Sequence, residues 1–204
     1  TLTSGLAAVI FSTIVVMNMV NGIIFLKNRL EHRVIIGALL GCVGIIFVFW
    51  SEITNFETDS ENIKAVCFAF LATYLASLGN IASARNQSSG ISVLQSNTFG
   101  MTYGALFMFL LCFATGKELL FEFTLPYIGS LLFLSVFASI IAFWTYLTLL
   151  GRVGVERAAY ATLLFPIVAL LISTYAESYK WSLFAGIGIL LILIGNLIIL
   201  KGKS

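Results

Sequence analysis

Apolar stretches alternate with short polar breaks along the whole chain, and the pattern resolves seven long apolar segments. They cover residues 4–26, 34–50, 63–84, 92–115, 127–150, 155–176 and 181–200. A helix needs about 20 residues to cross a hydrocarbon core of ~30 Å at 1.5 Å per residue, and most of the segments are of that order. The expected fold class is an all-α polytopic membrane protein with seven transmembrane helices. The longest connection, SEITNFETDSENI, is too short for an extramembrane domain. Glycines punctuate some segments at helical spacing: Gly37, Gly41 and Gly44, then Gly100 and Gly104, then Gly186, Gly188 and Gly195. Such small-residue faces let a neighbouring helix approach closely. The sixth segment, framed by Glu156 and Arg157 at its start and Glu177 beyond its end, carries Pro166 near its middle. Proline removes a helical hydrogen bond and kinks the helix. In lipid the freed carbonyl must be satisfied by protein or water, so the position is either a packing kink or part of a solute site.

Composition agrees with the pattern. Hydrophobic residues make up 60% and charged residues 10%, against about 25% charge in soluble domains. The mean hydropathy is +1.05. A surface this poor in polar groups needs lipid as its solvent. A signal peptide does not account for it, because apolar segments recur to the C-terminus. The chain begins at Thr1, almost at once inside an apolar segment, and is expected to continue upstream. Cys42, Cys67 and Cys112 all lie in apolar runs, with neither a disulfide framework nor metal-ligand spacing. They read as small packing residues.

Charge sets the expected orientation. With the first connection taken as cytoplasmic, that side holds Lys27, Arg29, Arg33, Arg85, Arg152, Arg157, Lys201 and Lys203. Only Lys64, Lys117 and Lys180 remain outside. The bias places the N-terminus of this chain outside and its C-terminus in the cytoplasm of a cell with an inner membrane. The Asn86-Gln87-Ser88 glycosylation pattern then falls on the wrong side.

An internal repeat is visible. SGLAAVIFSTIVVMNMV aligns with ERAAYATLLFPIVALLI, a polar elbow follows each, and a helix with Gly-x6-Gly follows the elbow (Gly37/Gly44 and Gly188/Gly195). The offset of roughly 150 residues spans five helices, which inverts the second copy relative to the first, as in secondary transporters.

These residues resemble a known family. TSGLAAVIFS followed by IIGALLGCVGIIFV resembles the end of an EamA domain, and LASLGNIASAR its first helix. VFASIIAFWTYLTLLGRVGVERAAYATLLFPIVALL with WSLFAGIGILLILIGNLIIL resembles its last three helices. The chain is thus similar to the EamA branch of the drug/metabolite transporter superfamily. The resemblance implies ten helices in two inverted five-helix repeats, with helices four to ten present here. On that basis residues 1–51 are the last two helices of the first repeat, 52–62 an extracytoplasmic loop, and 63–204 the complete second repeat. Two positions depart from the family pattern. Asn28 stands where an acidic residue is common, and FSTIVV lacks the usual mid-helix proline.

No carboxylate, lysine, arginine or histidine lies deep in any segment, which argues against a proton relay within this chain. The candidate substrate-binding residues are amides, hydroxyls and aromatics: Asn18, Asn21, Asn80, Asn97, Trp144, Tyr146, Tyr160, Thr162 and Pro166. Asn18 and Asn21, three apart, share a helix face; interhelical hydrogen bonding is the alternative role for both. Asn80 also reads as a helix-end polar residue, and Trp144 and Tyr146 as an aromatic belt. Glu156 and Arg157 read either as a gate pair or as a helix-start acid beside a topology-fixing base. No catalytic, metal or cofactor site is expected, since His32 is the single histidine and no carboxylate cluster exists. The expected function is a transporter moving small metabolites or amino acids, by export and alternating access. Its partners are a small-molecule substrate and the lipid bilayer, not nucleic acid, with a homodimer left open. The rival reading is a non-transporting remnant or a subunit that needs assembly. A membrane enzyme or a seven-helix receptor fits less well.

Overall fold

The computed structural model describes residues 4–28, 31–56, 59–117, 120–176 and 182–200. Helices α1 (Ser4–Ser12) and α2 (Ile14–Leu26) form the first apolar segment, and α3 (His32–Val48) with the short α4 (Trp50–Thr54) forms the second. Next come α5 (Ser60–Ser88) and α6 (Val93–Ala114). The fifth segment comprises α7 (Leu125–Phe133), a π-helical stretch over Leu134–Ala142, and α8 (Phe143–Val153). α9 (Val155–Ala176) and α10 (Leu183–Leu200) complete the chain. All seven expected segments are helical where described, and no strand occurs among the described residues. Among the described residues, four spans are long and apolar enough to cross a membrane: Leu6–Leu26, Ser60–Ser88, Val93–Ala114 and Leu125–Val153.

Helix ends follow local chemistry. Ser92 and Gln95 close a capping box at the start of α6: the Gln95 N–H donates to Ser92 Oγ and the Ser92 N–H to Gln95 Oε1, each at 3.2 Å. Pro126 sits in the first turn of α7, where its missing N–H is harmless. Gly154 links α8 to α9 at φ +91°, a conformation that side chains resist. α2 ends at Lys27, itself left-handed at φ 56°.

The two copies of the repeat differ in continuity. The helix carrying Pro166 remains helical from Val155 to Ala176. Its counterpart is the one interrupted, at Thr13 between α1 and α2. There the Ser12 hydroxyl donates to the Val9 carbonyl and the Thr13 hydroxyl to the Ile10 carbonyl, both at 2.6 Å. Hydroxyls bonding back along the chain compete with the helical ladder. Ser12-Thr13 thus supplies an irregularity where the repeat lacks its proline.

The chain divides into two compact units, Thr1–Ala82 with Val153–Ser204, and Ser83–Arg152. In the first unit α3 and α10 pack along their glycines. A Cβ added at Gly44 would lie 2.7 Å from the Gly188 carbonyl oxygen, and one at Gly188 would lie 2.5 Å from that of Gly44. A Cβ at Gly37 or at Gly195 would lie 2.9 Å from the carbonyl oxygen of the other. The two contacts run in opposite chain directions, so the helices are antiparallel. Gly37 corresponds to Gly188 in the repeat, and Gly44 to Gly195. Exchanging repeat partners therefore converts one contact into the other, which is the signature of a local two-fold axis. Gly41 faces α9, where a Cβ would run into the Leu163 side chain. Ile14, Val15, Val34, Ala38, Ile45, Tyr160, Leu163 and Ile192 belong to the buried core around this contact.

The second unit is built differently. α6, α7 and the π-helical stretch bury no described side chain, and Phe107, Phe113, Leu132, Phe133 and Phe143 are exposed. Helices apolar on all sides belong in a hydrocarbon solvent. Polar bonds between its helices include Asn86 Nδ2 to Ser96 Oγ at 2.9 Å and Gln87 Nε2 to the Leu147 carbonyl at 3.0 Å.

The close backbone approach predicts an asymmetry among glycine substitutions. Gly44→Ala or Gly188→Ala should destabilise the full-length protein by about 1–3 kcal/mol, the usual penalty of overpacking. Gly100→Ala, whose Cβ would meet nothing within 4 Å, should be neutral. Unfolding midpoints of the three variants in detergent check this.

Candidate functional site

The amides of α2 meet a polar face of α5. Asn18 and Asn21 are buried at 0% and 3% exposure. On α5, Thr73, Ser77 and Asn80 are spaced by four and then three residues, which stacks them on one face, and all three are buried. Asn21 Nδ2 donates to Ser77 Oγ at 2.9 Å. Asn80 Nδ2 donates to Asn18 Oδ1 at 3.5 Å, a long and weak bond. The Thr73 hydroxyl donates to the Ala69 carbonyl of its own helix. Asn18 Nδ2 is buried and has no hydrogen-bond partner among the described residues. A buried donor left so is destabilising by about 1–3 kcal/mol. Asn80 stands well inside α5, which continues to Ser88, so it is not a helix-end residue.

α9 supplies Tyr160 and Thr162, both buried in the same unit. The Tyr160 hydroxyl donates to the Val34 carbonyl of α3 at 2.7 Å. The Thr162 hydroxyl donates to the Ala159 carbonyl at 2.5 Å. Pro166 lacks the N–H that would bond the Thr162 carbonyl, so this turn carries one freed acceptor. Asn97, Trp144 and Tyr146 lie in the second unit. Trp144 is exposed, and Asn97 and Tyr146 are half-buried.

A second polar cluster closes one end of the first unit. Glu156 and Arg157 do not pair with each other; each reaches the elbow between α2 and α3. Asn28 Nδ2 donates to Glu156 Oε1 at 2.6 Å. Arg157 Nη2 donates to Glu31 Oε1 at 2.7 Å. A Cβ at Gly22 would run into the Glu156 carboxylate, so this glycine admits the clamp. Asn28, in place of the acid common in the family pattern, can donate to Glu156 without like-charge repulsion.

Ser77 and Thr73 were not among the sequence candidates, although their spacing from Asn80 was legible in LATYLASLGN. The partners of Glu156 and Arg157 had no local signal, because they lie more than a hundred residues away. No group of three or more His, Cys, Asp or Glu side chains that could hold a metal occurs among the described residues.

Buried amides and hydroxyls between apolar helices either bond across the interface or face a solute path. The model of the EamA-like transporter family matches residues 63–201, well over half of the chain. The chain belongs to the EamA-like transporter family. Similar proteins include an uncharacterized transporter of Clostridium kluyveri, 23% identical over 94% of this chain and 62% of its own length. Protein PagO of Salmonella typhimurium is 23% identical over 98% of this chain and 65% of its own. The uncharacterized transporter YvbV of Bacillus subtilis is 27% identical over 83% and 54%. The chain thus spans a little under two thirds of the length of the first two. A crystal structure with 18% identity superposes at a TM-score of 0.80, covering 99% of this chain and 70% of its own. That likeness shows a shared fold; the family assignment rests on the family model. The family and the composition together make this part of a multi-pass membrane protein.

The elbow clamp is testable by charge reversal. Glu31→Arg and Arg157→Glu should each destabilise the full-length protein, and the double variant should recover most of the loss. The expected coupling in a double-mutant cycle is about 0.5–1 kcal/mol, as for partly exposed ion pairs. Additive single effects would show that the pair contributes nothing.

Proposed function

We propose that the chain is part of a solute exporter that moves small metabolites or amino acids across the cell's inner membrane by alternating access. The observation that carries the reading is the buried amide and hydroxyl face between α2 and α5, in a chain of the EamA-like family. Polar side chains at membrane depth are costly unless they pair or serve a path. Here one of them, Asn18, keeps a donor unpaired. Asn18, Asn21 and Asn80 are the substrate-binding residues of the proposal, with Tyr160 and Thr162 on α9 beside them and Pro166 as the residue that frees the Thr162 carbonyl. Asn97, Trp144 and Tyr146, which lie in the second unit, stay candidates on their own chemistry. The basic-residue bias supports an orientation with the C-terminus in the cytoplasm. In that orientation the Glu31–Arg157 and Asn28–Glu156 bonds close the cytoplasmic end and must open once per cycle. The irregular turn at Ser12-Thr13 and the freed carbonyl at Thr162 are the places where the two repeat-related helices bend most easily.

A metabolite-export screen of cells carrying the complete gene tests the reading. Asn18→Ala should reduce export at least ~5-fold, equivalent to ~1 kcal/mol, with membrane expression intact. Tyr160→Phe, which removes only the bond to the Val34 carbonyl, should lower stability by about 1 kcal/mol and leave the exported set unchanged. No export by the wild type, or full export by Asn18→Ala, would return these amides to a packing role.

A further inference from the structure

We infer that the site at Asn18 selects solutes by charge: it takes an uncharged acceptor, a carbonyl or hydroxyl oxygen on a solute without net charge. The inference rests on the transport reading above and narrows its substrate class. Three observations carry it. Asn18 is wholly buried, and its Nδ2 group has no partner among the described residues. Native structures leave few buried donors unpaired, so an unfilled one marks a place where an acceptor arrives. Its Oδ1 accepts a long bond from Asn80 Nδ2, which leaves the donor end of the amide for an acceptor.

The surroundings decide what kind of acceptor. Every buried polar side chain among the described residues is Ser, Thr or Asn; none is ionisable apart from the Tyr160 phenol. Lys27, the charge nearest in sequence to Asn21, lies past the end of α2, and Glu156 and Arg157 are engaged with Asn28 and Glu31 at the elbow. A carboxylate or ammonium brought to Asn18 would lose its hydration with no opposite charge among the buried described side chains to replace it, a large penalty in a low-dielectric site. A neutral carbonyl loses far less and regains it from the amide N–H. Asn21 and Ser77 bond each other, so they complete a neutral rim rather than compete for the same acceptor. The site therefore discriminates by what it lacks as much as by what it offers.

Three ring-matched probes test this on the purified full-length protein in nanodiscs: benzamide (neutral), benzoate (anionic) and benzylammonium (cationic). Benzamide should raise the unfolding midpoint of the wild type, and the other two should not. Asn18→Leu, of similar volume without the amide, should abolish the benzamide shift. Asn18→Asp should move the preference to benzylammonium, a gain that a merely disrupted fold could not produce. Equal stabilisation by either charged probe, stabilisation by none of the three, or a benzamide shift retained in Asn18→Leu would overturn the inference. Export of net-charged solutes by the wild type in the screen would overturn it as well, while leaving the transport reading intact. Failure of all export would overturn both.

Discussion

The contact between α3 and α10 is the constraint on which the first unit depends. Four glycines bring two antiparallel backbones close enough that a single methyl group would collide with a carbonyl oxygen. In lipid there is no hydrophobic drive to press helices together, so close packing and dispersion must do it. The glycines permit that packing, and the chain's history explains why they match. Each helix contributes the same Gly-x6-Gly face, inverted, so the seam is made from two copies of one surface. Around it Ile45, Leu163 and Ile192 are fully buried. α9 joins through Gly41, and Tyr160 crosses back to Val34.

That seam leaves the polar work to other helices. α3 and α10 are almost wholly apolar and glycine-rich along their length, whereas α2 and α5 present amides and hydroxyls to each other. A membrane protein cannot mix the two freely. Backbone approach needs small residues, and an amide side chain in the same interface would hold the helices apart. Separating a glycine seam from an amide face gives one rigid contact and one contact able to exchange partners. The hydrogen bonds of the amide face are few and in one case long, at 3.5 Å. Under the proposed alternating access, the face that exchanges partners is the one a solute enters.

Much of this was legible in the sequence, and what was not has a physical reason. Segment lengths and hydropathy gave the helices, because lipid leaves the backbone little choice. Glycine spacing marked α3 and α10 as close-packing helices. It did not show that they pack on each other, since a small-residue face is compatible with any partner of complementary shape. Asn18 and Asn21 stood out by their three-residue spacing. Ser77 did not, because serine is common in membrane helices and its importance comes only from the amide opposite. Glu156 and Arg157 were adjacent and looked like a pair, yet neighbouring residues on a helix point about 100° apart. Their partners at Asn28 and Glu31 belong to the other repeat, and no local pattern encodes that distance.

Proline placement shows where sequence patterns and mechanics part. Pro166 marks the obvious weak point of α9, yet the backbone stays helical through it. A missing N–H frees one carbonyl, and a helix anchored on α2, α3 and α10 can carry that loss. The first repeat lacks the proline and still has an irregular turn at Thr13, where two adjacent hydroxyls bond back to Val9 and Ile10. The two halves therefore reach a soft point by different chemistry at equivalent depth. A proline acts through a bond that can never form, whereas hydroxyls act through bonds that can be exchanged. If the repeats bend during transport, the first can switch its irregularity on and off, and the second carries a permanent one. The symmetry of the glycine seam does not extend to the helices beside it, so the two repeats need not bend by the same amount or at the same moment.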